Sequence, residues 1–256
     1  QHARVTAKYN VYYGEGRDAY DVRGRVAHEC IFNCNDGRFR CPSTQQGYSP
    51  FTTWTRGLAW IMLGYPEQLE FLETVPDGEL VEFGGRDGLT LVMLDAARAA
   101  CDYYIDNTPT DGIPYWDTGA PGLVQLGDYL DRPADPLNQC EPVDSSAAAI
   151  AAQGLLRLGR YLQQQGRTQQ GDHYWRAGLT VLDRLLGEPY LSTGADRQGL
   201  LLHAVYHRPR GWDHVPAGLP IPHGESCIWG DYHLAEAALY VQRVARDETY
   251  YCFFGE

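Results

Sequence analysis

The sequence predicts an all-α domain. Apolar residues recur at helical spacing in several blocks, strand-like alternation is nearly absent, and long Pro- and Gly-rich stretches part the blocks. In the first block, Trp54, Leu58, Ile61 and Met62 mark one helical face that continues toward Tyr65. The second runs from Leu89 to Tyr104 with a run of alanines, and Asp106-Asn107-Thr108-Pro109 ends it. The third starts at Asp144 or Ser145, either of which can cap a helix whose alanine-rich first turns let a neighbour pack close. Trp175, Leu179, Leu182 and Leu186 then step by four, three and four, which predicts one buried stripe. Ser226 to Val244 reads as a final helix. Two long loops remain. Asn107 to Val143 holds Pro109, Pro114, Pro121, Pro133, Pro136 and Pro142, and Arg208 to Gly224 holds Trp212-Asp213-His214 between prolines. Loops of this length in a compact domain are commonly functional, so both are placed at the rim of a cleft.

Composition narrows the function classes. A chain of 256 residues, 44% hydrophobic and 12% aromatic, can bury a single substantial core. No apolar run approaches the roughly 20 residues that span a bilayer, and no signal peptide is visible at the start. The chain opens on Gln1 rather than Met, as a trimmed, processed or partial chain does. A net charge of −12 argues against a nucleic-acid footprint. It also repels an anionic substrate mildly, so any carboxylate must be held by local cations. The seven cysteines are Cys30, Cys34, Cys41, Cys101, Cys140, Cys227 and Cys252. The cluster of three, even with His28 as a fourth ligand, lacks the paired two-residue spacing of structural zinc. A disulfide within the cluster is the alternative and free thiols are the default. The compartment, cytoplasmic or periplasmic, stays open.

The densest chemistry lies early. His28-Glu29-Cys30, Gln46-Gly47-Tyr48 and Trp54-Thr55-Arg56-Gly57-Leu58-Ala59-Trp60 put an imidazole, a carboxamide, a guanidinium and two indoles in one segment. A site that grips a ring bearing a carboxylate needs this mixture. Arginine offers a two-point fork to the carboxylate, indole faces offer flat walls to the CH side of a sugar, and Gln and His answer its hydroxyls. Trp54 and Trp60, at helical spacing, read as core more readily than as ligand walls when taken alone.

Further motifs follow in order. They are Asp111-Gly112-Ile113-Pro114-Tyr115-Trp116-Asp117 with Ala120-Pro121, then Asp144-Ser145-Ser146 with its alanine run. After these come Leu201-Leu202-His203-Ala204-Val205-Tyr206-His207 and Gly224-Glu225-Ser226-Cys227-Ile228-Trp229-Gly230-Asp231-Tyr232-His233. Taken with the tryptophan segment, the chain resembles the unsaturated glucuronyl hydrolases of glycoside hydrolase family 88, and more distantly the unsaturated rhamnogalacturonyl hydrolases. The resemblance runs to about Arg243. It implies an (α/α)6 barrel of six helical hairpins with a cleft at one end. It also implies hydrolysis of oligosaccharides left by polysaccharide lyases, which end in a 4,5-unsaturated uronic acid. An aspartic acid protonates C4, water adds at C5, and the resulting hemiketal opens. No metal or organic cofactor is implied.

Carried over by motif, His28 and Gln46 contact the unsaturated ring, with His28 a possible helper that positions water. Arg56 binds the uronate carboxylate, Trp54 and Trp60 form walls, and Ser226 contacts the carboxylate or a neighbouring group. Trp116 is open between rim packing and sugar stacking. The chain departs from the family at Ser49-Pro50-Phe51-Thr52-Thr53, where aspartates are usual, and at Leu58, where Gln is common. These departures leave the exact substrate open. For His203, His207 and Trp229 the residues favour core packing, and for Arg208 and Arg210 solvent.

Twelve helices of about 12 residues joined by loops of this size call for about 350 residues, whereas six to eight helices can be placed here. Residues 1–256 are therefore expected to be one domain, the C-terminal portion of the six-hairpin toroid. The family's general acid aspartate is expected upstream of Gln1. Asp117, Asp144 and Asp231 are the candidate replacements within the chain, and none matches its position. A half-ring would expose apolar helix faces, so aggregation in isolation is expected. The rivals are a carbohydrate-binding protein that keeps the cleft without the acid, and a helical scaffold with no ligand. The sugar-acid expectation depends on an Arg56 guanidinium open to a cavity; one pointing away from any cavity, or paired with an internal carboxylate, overturns it.

Overall fold

Helices carry the fold in the computed structural model, which describes residues 1–195 and 197–249. Cys252 lies outside them. In chain order the helices are α1 (His2–Tyr9), α2 (Thr55–Thr74), α3 (Asp77–Leu80), α4 (Gly85–Asp106), α5 (Ser145–Gln164), α6 (Thr168–Leu185) and α7 (Ile228–Ala245). A hairpin of β1 (Glu29–Phe32) and β2 (Phe39–Ser43) lies between α1 and α2. Five helices are 18 residues or longer, so the expected all-α class is met.

α5 is the hub. It packs on α6, α2 and α7, while α4 packs on α2. Asp144 caps α5 by accepting from the backbone N–H groups of Ser146 and Ala147. The alanine run behind it is fully buried, which is why this helix can be surrounded. Close approach is built in at glycines. A Cβ at Gly154 would lie 2.6 Å from the carbonyl of Met62 on α2. That carbonyl sits four residues before Pro66, which has no N–H to give it. Gly159 and Gly171 face each other across the α5–α6 contact in the same way.

Two expectations need correction. The buried face of α6 is Gly171, Tyr174, Gly178, Val181, Leu182 and Leu185, whereas Trp175 and Leu179 are half-buried and Leu186 is exposed beyond the helix end. Small residues made this face invisible to a search for large apolar ones, yet they set how near α6 can come. The β1–β2 hairpin was also not anticipated. Its strands are four and five residues long and none of their residues is buried, so no apolar face marks them in the sequence.

The first long loop and the segment just before the second meet the end of the bundle where α2 and α5 begin. Thr55 at the start of α2 bonds the carbonyls of Tyr115 and Trp116. Ser145 at the start of α5 donates its N–H to the carbonyl of His203. Among the described residues no helix is long and apolar enough to cross a membrane.

Candidate active-site cleft

The hairpin brings His28 and Gln46 together. His28 precedes β1, Gln46 follows β2, and the pairing of Glu29 with Ser43 closes the 18-residue gap between them. Nδ1 of His28 accepts the N–H of Gln45 at 3.2 Å and lies 3.2 Å from Oγ1 of Thr44. An accepting Nδ1 places the ring proton on Nε2. Burial lowers the His28 pKa below its ordinary value; Glu29 opposes this, and His207 and Arg56 add to it. The imidazole is thus neutral at pH 7, with Nε2–H as a donor.

Gln46 is fixed by Arg56, whose Nη2 donates to Oε1 at 3.1 Å. That leaves the carboxamide NH2 as a second donor. Arg56 itself is only 4% exposed. Its Nη1 donates to Asp144 at 3.2 Å, to Ser146 Oγ at 3.4 Å, and to the carbonyl of Val205. Its Nη2 also donates to the carbonyl of Tyr206 at 2.7 Å. The expected open guanidinium is therefore not found: Arg56 is ion-paired with an internal carboxylate and ties α2, α5 and the late loop together. Asp144 stands 88 residues away in sequence, so no local pattern could reveal the pair.

Two indoles do bracket Arg56, but they are Trp54 and Trp229, with ring centroids 4.9 and 5.0 Å from the guanidinium carbon. Trp54 is buried and carries the His28 ring at 4.6 Å. Trp60 sits one turn below Arg56 on α2, 41% exposed, where it meets His233 of α7 at 5.1 Å. Helices α2 and α7 thus meet in two rungs, Arg56 on Trp229 and Trp60 on His233. Trp229, read from sequence as core, is half-buried and part of the site.

Trp116 is resolved toward packing. Its indole is buried and its N–H donates to Glu141 Oε2 at 2.8 Å. It backs a cavity of about 210 Å³ between the Gly47–Tyr48 loop and Arg208–Pro209. Ser226 lies against the backbone of Gly199, with no hydrogen bond to Arg56, Gln46 or His28. The serine that does reach the site is Ser146: its Oγ donates to Asp144 and accepts from both Arg56 and the Trp229 indole N–H.

The acids around the cleft are engaged in holding backbone. Asp117 accepts the N–H groups of Tyr48 and Gly119, and burial raises its pKa. Asp213 accepts those of Tyr206 and His207, and Asp231 those of Leu200 and Leu201. Asp144 acts as the cap that the sequence favoured.

No family model matches the chain. It is 26% identical over 216 residues to an unsaturated glucuronyl hydrolase of Bacillus sp. (strain GL1), covering 84% of this chain and 46% of that protein. It is 30% identical over 202 residues to an unsaturated chondroitin disaccharide hydrolase of Streptococcus pyogenes serotype M1, covering 77% of this chain and 39% of that protein. The crystal structure of the Bacillus sp. GL1 enzyme superposes with a TM-score of 0.66 at 23% identity, over 94% of this chain and 51% of the other. An unsaturated glucuronyl hydrolase from Streptococcus agalactiae, solved in complex with dGlcA-GalNAc6S, gives a TM-score of 0.56 at 24% identity over 86% of this chain and 47% of the other. The chain spans about half the length of the curated relatives it matches. In sequence this chain is similar to the unsaturated glucuronyl hydrolases, and its helices superpose on about half of their all-helical fold.

Proposed function

We propose that the protein removes the terminal 4,5-unsaturated uronic acid from lyase-generated oligosaccharides, and that the cleft around His28 and Gln46 holds the unsaturated ring. The observation that carries this is the convergence of His28, Gln46 and Arg56 into one hydrogen-bonded cluster. That cluster lies in a chain similar to glucuronyl and chondroitin disaccharide hydrolases over most of its length.

The Arg56 clasp on which the sugar-acid expectation rested is absent. This reading rests instead on the similarity to those hydrolases and on the donors of His28 and Gln46, and the roles shift from those the motifs implied. Arg56 is a positioning residue, because its Nη groups already serve Asp144, Ser146, Gln46 and two carbonyls. The donors left for the sugar are Nε2–H of neutral His28 and the NH2 of Gln46. Both suit hydroxyl or carboxylate oxygens. The chemistry is protonation at C4 of the vinyl ether and hydration at C5, followed by opening of the hemiketal, which releases the neighbouring sugar and a keto uronate. His28 is suited to orient the water. The proton donor is left unassigned, since Asp117, Asp144, Asp213 and Asp231 each hold backbone.

Loss of the conjugated-uronate absorbance on incubation of the full-length protein with unsaturated disaccharides tests this. Faster loss with glycosaminoglycan than with pectin disaccharides is expected; the reverse preference favours a rhamnogalacturonyl-type enzyme. Saturable binding without turnover favours a carbohydrate-binding protein.

A further inference from the structure

An aromatic stack leads from Arg56 out to solvent. Trp229 lies on the guanidinium, Tyr206 lies 5.5 Å from Trp229, and Trp212 lies 5.7 Å from Tyr206 at 28° between planes. Tyr206 has a ring on each side, so Trp212 is the outermost rung. It is 57% exposed despite these contacts. An indole left largely in water forgoes about 25 cal/mol for each Å² it could bury.

The stack is held rigidly. The Tyr206 peptide is gripped from both sides, its N–H by Asp213 and its carbonyl by Arg56. Asp213, buried and adjacent to Trp212, also accepts the His207 N–H at 3.0 Å. The turn between them is tightened by the N–H of Gly211 on the carbonyl of Arg208 and that of Arg210 on the carbonyl of His207. An aromatic face presented on a stiff loop loses little conformational freedom when a ring settles on it.

Its register to the cleft is also fixed. The guanidinium that grips the Tyr206 carbonyl is the one that grips Gln46. The Trp212 ring packs 4.8 Å from His207, and the same turn, through Arg208 and Pro209, faces Gly47 and Tyr48 across the small cavity.

We propose that Trp212 is a stacking platform for the second sugar of the substrate, the pyranose next to the ring held at His28 and Gln46. Its open face takes the CH-rich side of a pyranose, which requires no particular charge or sulfation. This rests on the reading of the cleft as a saccharide site.

The test is calorimetric titration with two ligands, the methyl glycoside of 4,5-unsaturated glucuronic acid (one ring) and an unsaturated glucuronyl disaccharide (two rings). In Trp212→Ala the two-ring ligand is expected to bind about five- to tenfold more weakly while the one-ring ligand is unchanged; Trp212→Phe restores most of the difference. Melting temperatures read alongside keep folding separate. A wild-type protein that binds both ligands, with Trp212→Ala weakening both equally or neither, overturns the platform and leaves the cleft standing. A wild-type protein that binds neither ligand overturns both.

Discussion

Arg56 and Arg157 are both buried guanidinium groups between helices, and they have opposite surroundings. Arg157, in the middle of α5, faces Glu70 at 2.6 Å, Glu236 at 3.5 Å and Glu67 at 3.8 Å, drawing α2 and α7 onto α5. Arg56, at the loop-covered end, faces one carboxylate, two carbonyls, a serine and a carboxamide. The first is an excess of acid around a base and clamps helices. The second is a distributor of hydrogen bonds that sets the position of loops. On the proposed reading, stability and recognition rest on separate arginines at different levels of the same helices.

Removing the first should cost most. Arg157→Ala leaves three glutamates without their shared cation and is expected to lower stability by about 3–5 kcal/mol, with ligand affinity in the surviving folded protein unchanged. Burial already raises the Glu67 pKa, and Arg157 opposes that rise. Without Arg157 the folded-state pKa climbs further, so the deficit is largest at neutral pH and shrinks as the medium is acidified and Glu67 takes up its proton. Chemical denaturation across pH reads this, and a pH-independent deficit would contradict the clamp.

Next in size is an acid sensitivity confined to the loop end. Burial, with His223 and Arg197 adding, pushes the pKa of His203 down from 6.5 to about 4. Above 6.5 the ring is neutral in both folded and unfolded chains and its stability is fully present. As pH falls toward 4 the unfolded chain binds the proton first, so about 3 kcal/mol is lost. His203→Asn removes the titration while tolerating the left-handed backbone at φ +66°. Its stability should fall less between pH 6.5 and 4; an unchanged slope would place the acid sensitivity elsewhere.

Arg56→Lys sharpens the contrast. It keeps a cation near Asp144 but cannot reach Gln46, Val205 and Tyr206 together. A stability loss of about 1–3 kcal/mol is expected, with saccharide affinity down about tenfold or more. Normal affinity in this variant would erase the distinction between the two arginines. Smaller still is the salt effect. With Arg56 already paired, binding rests on neutral donors, so raising ionic strength should change affinity by less than about threefold.

How much of this was legible in the sequence follows the range of the interactions. α2, α4, α5 and α7 were readable because their apolar spacing and the Asp144 cap are local. The grouping of His28, Gln46, Trp54 and Arg56 was readable as residue types, though not as geometry. The hairpin that joins His28 to Gln46 had a signal, Asp36-Gly37 between Cys30-Ile31-Phe32 and the alternating Arg38-Phe39-Arg40-Cys41, with Gly37 at φ +66°. The partners of Arg56 had none, because Asp144 and Tyr206 come from 88 and 150 residues away. Trp229 was hidden by its place on a helix, where an indole looks like core whether or not it also meets a cation.

The central claim is that neutral donors set by Arg56 hold an unsaturated uronyl ring. Its most direct test is titration of wild-type and Gln46→Ala proteins with an unsaturated glucuronyl disaccharide. The account predicts saturable binding that weakens about five- to tenfold in Gln46→Ala with an unchanged melting temperature. Equal affinities, or no binding by the wild-type protein, would contradict it.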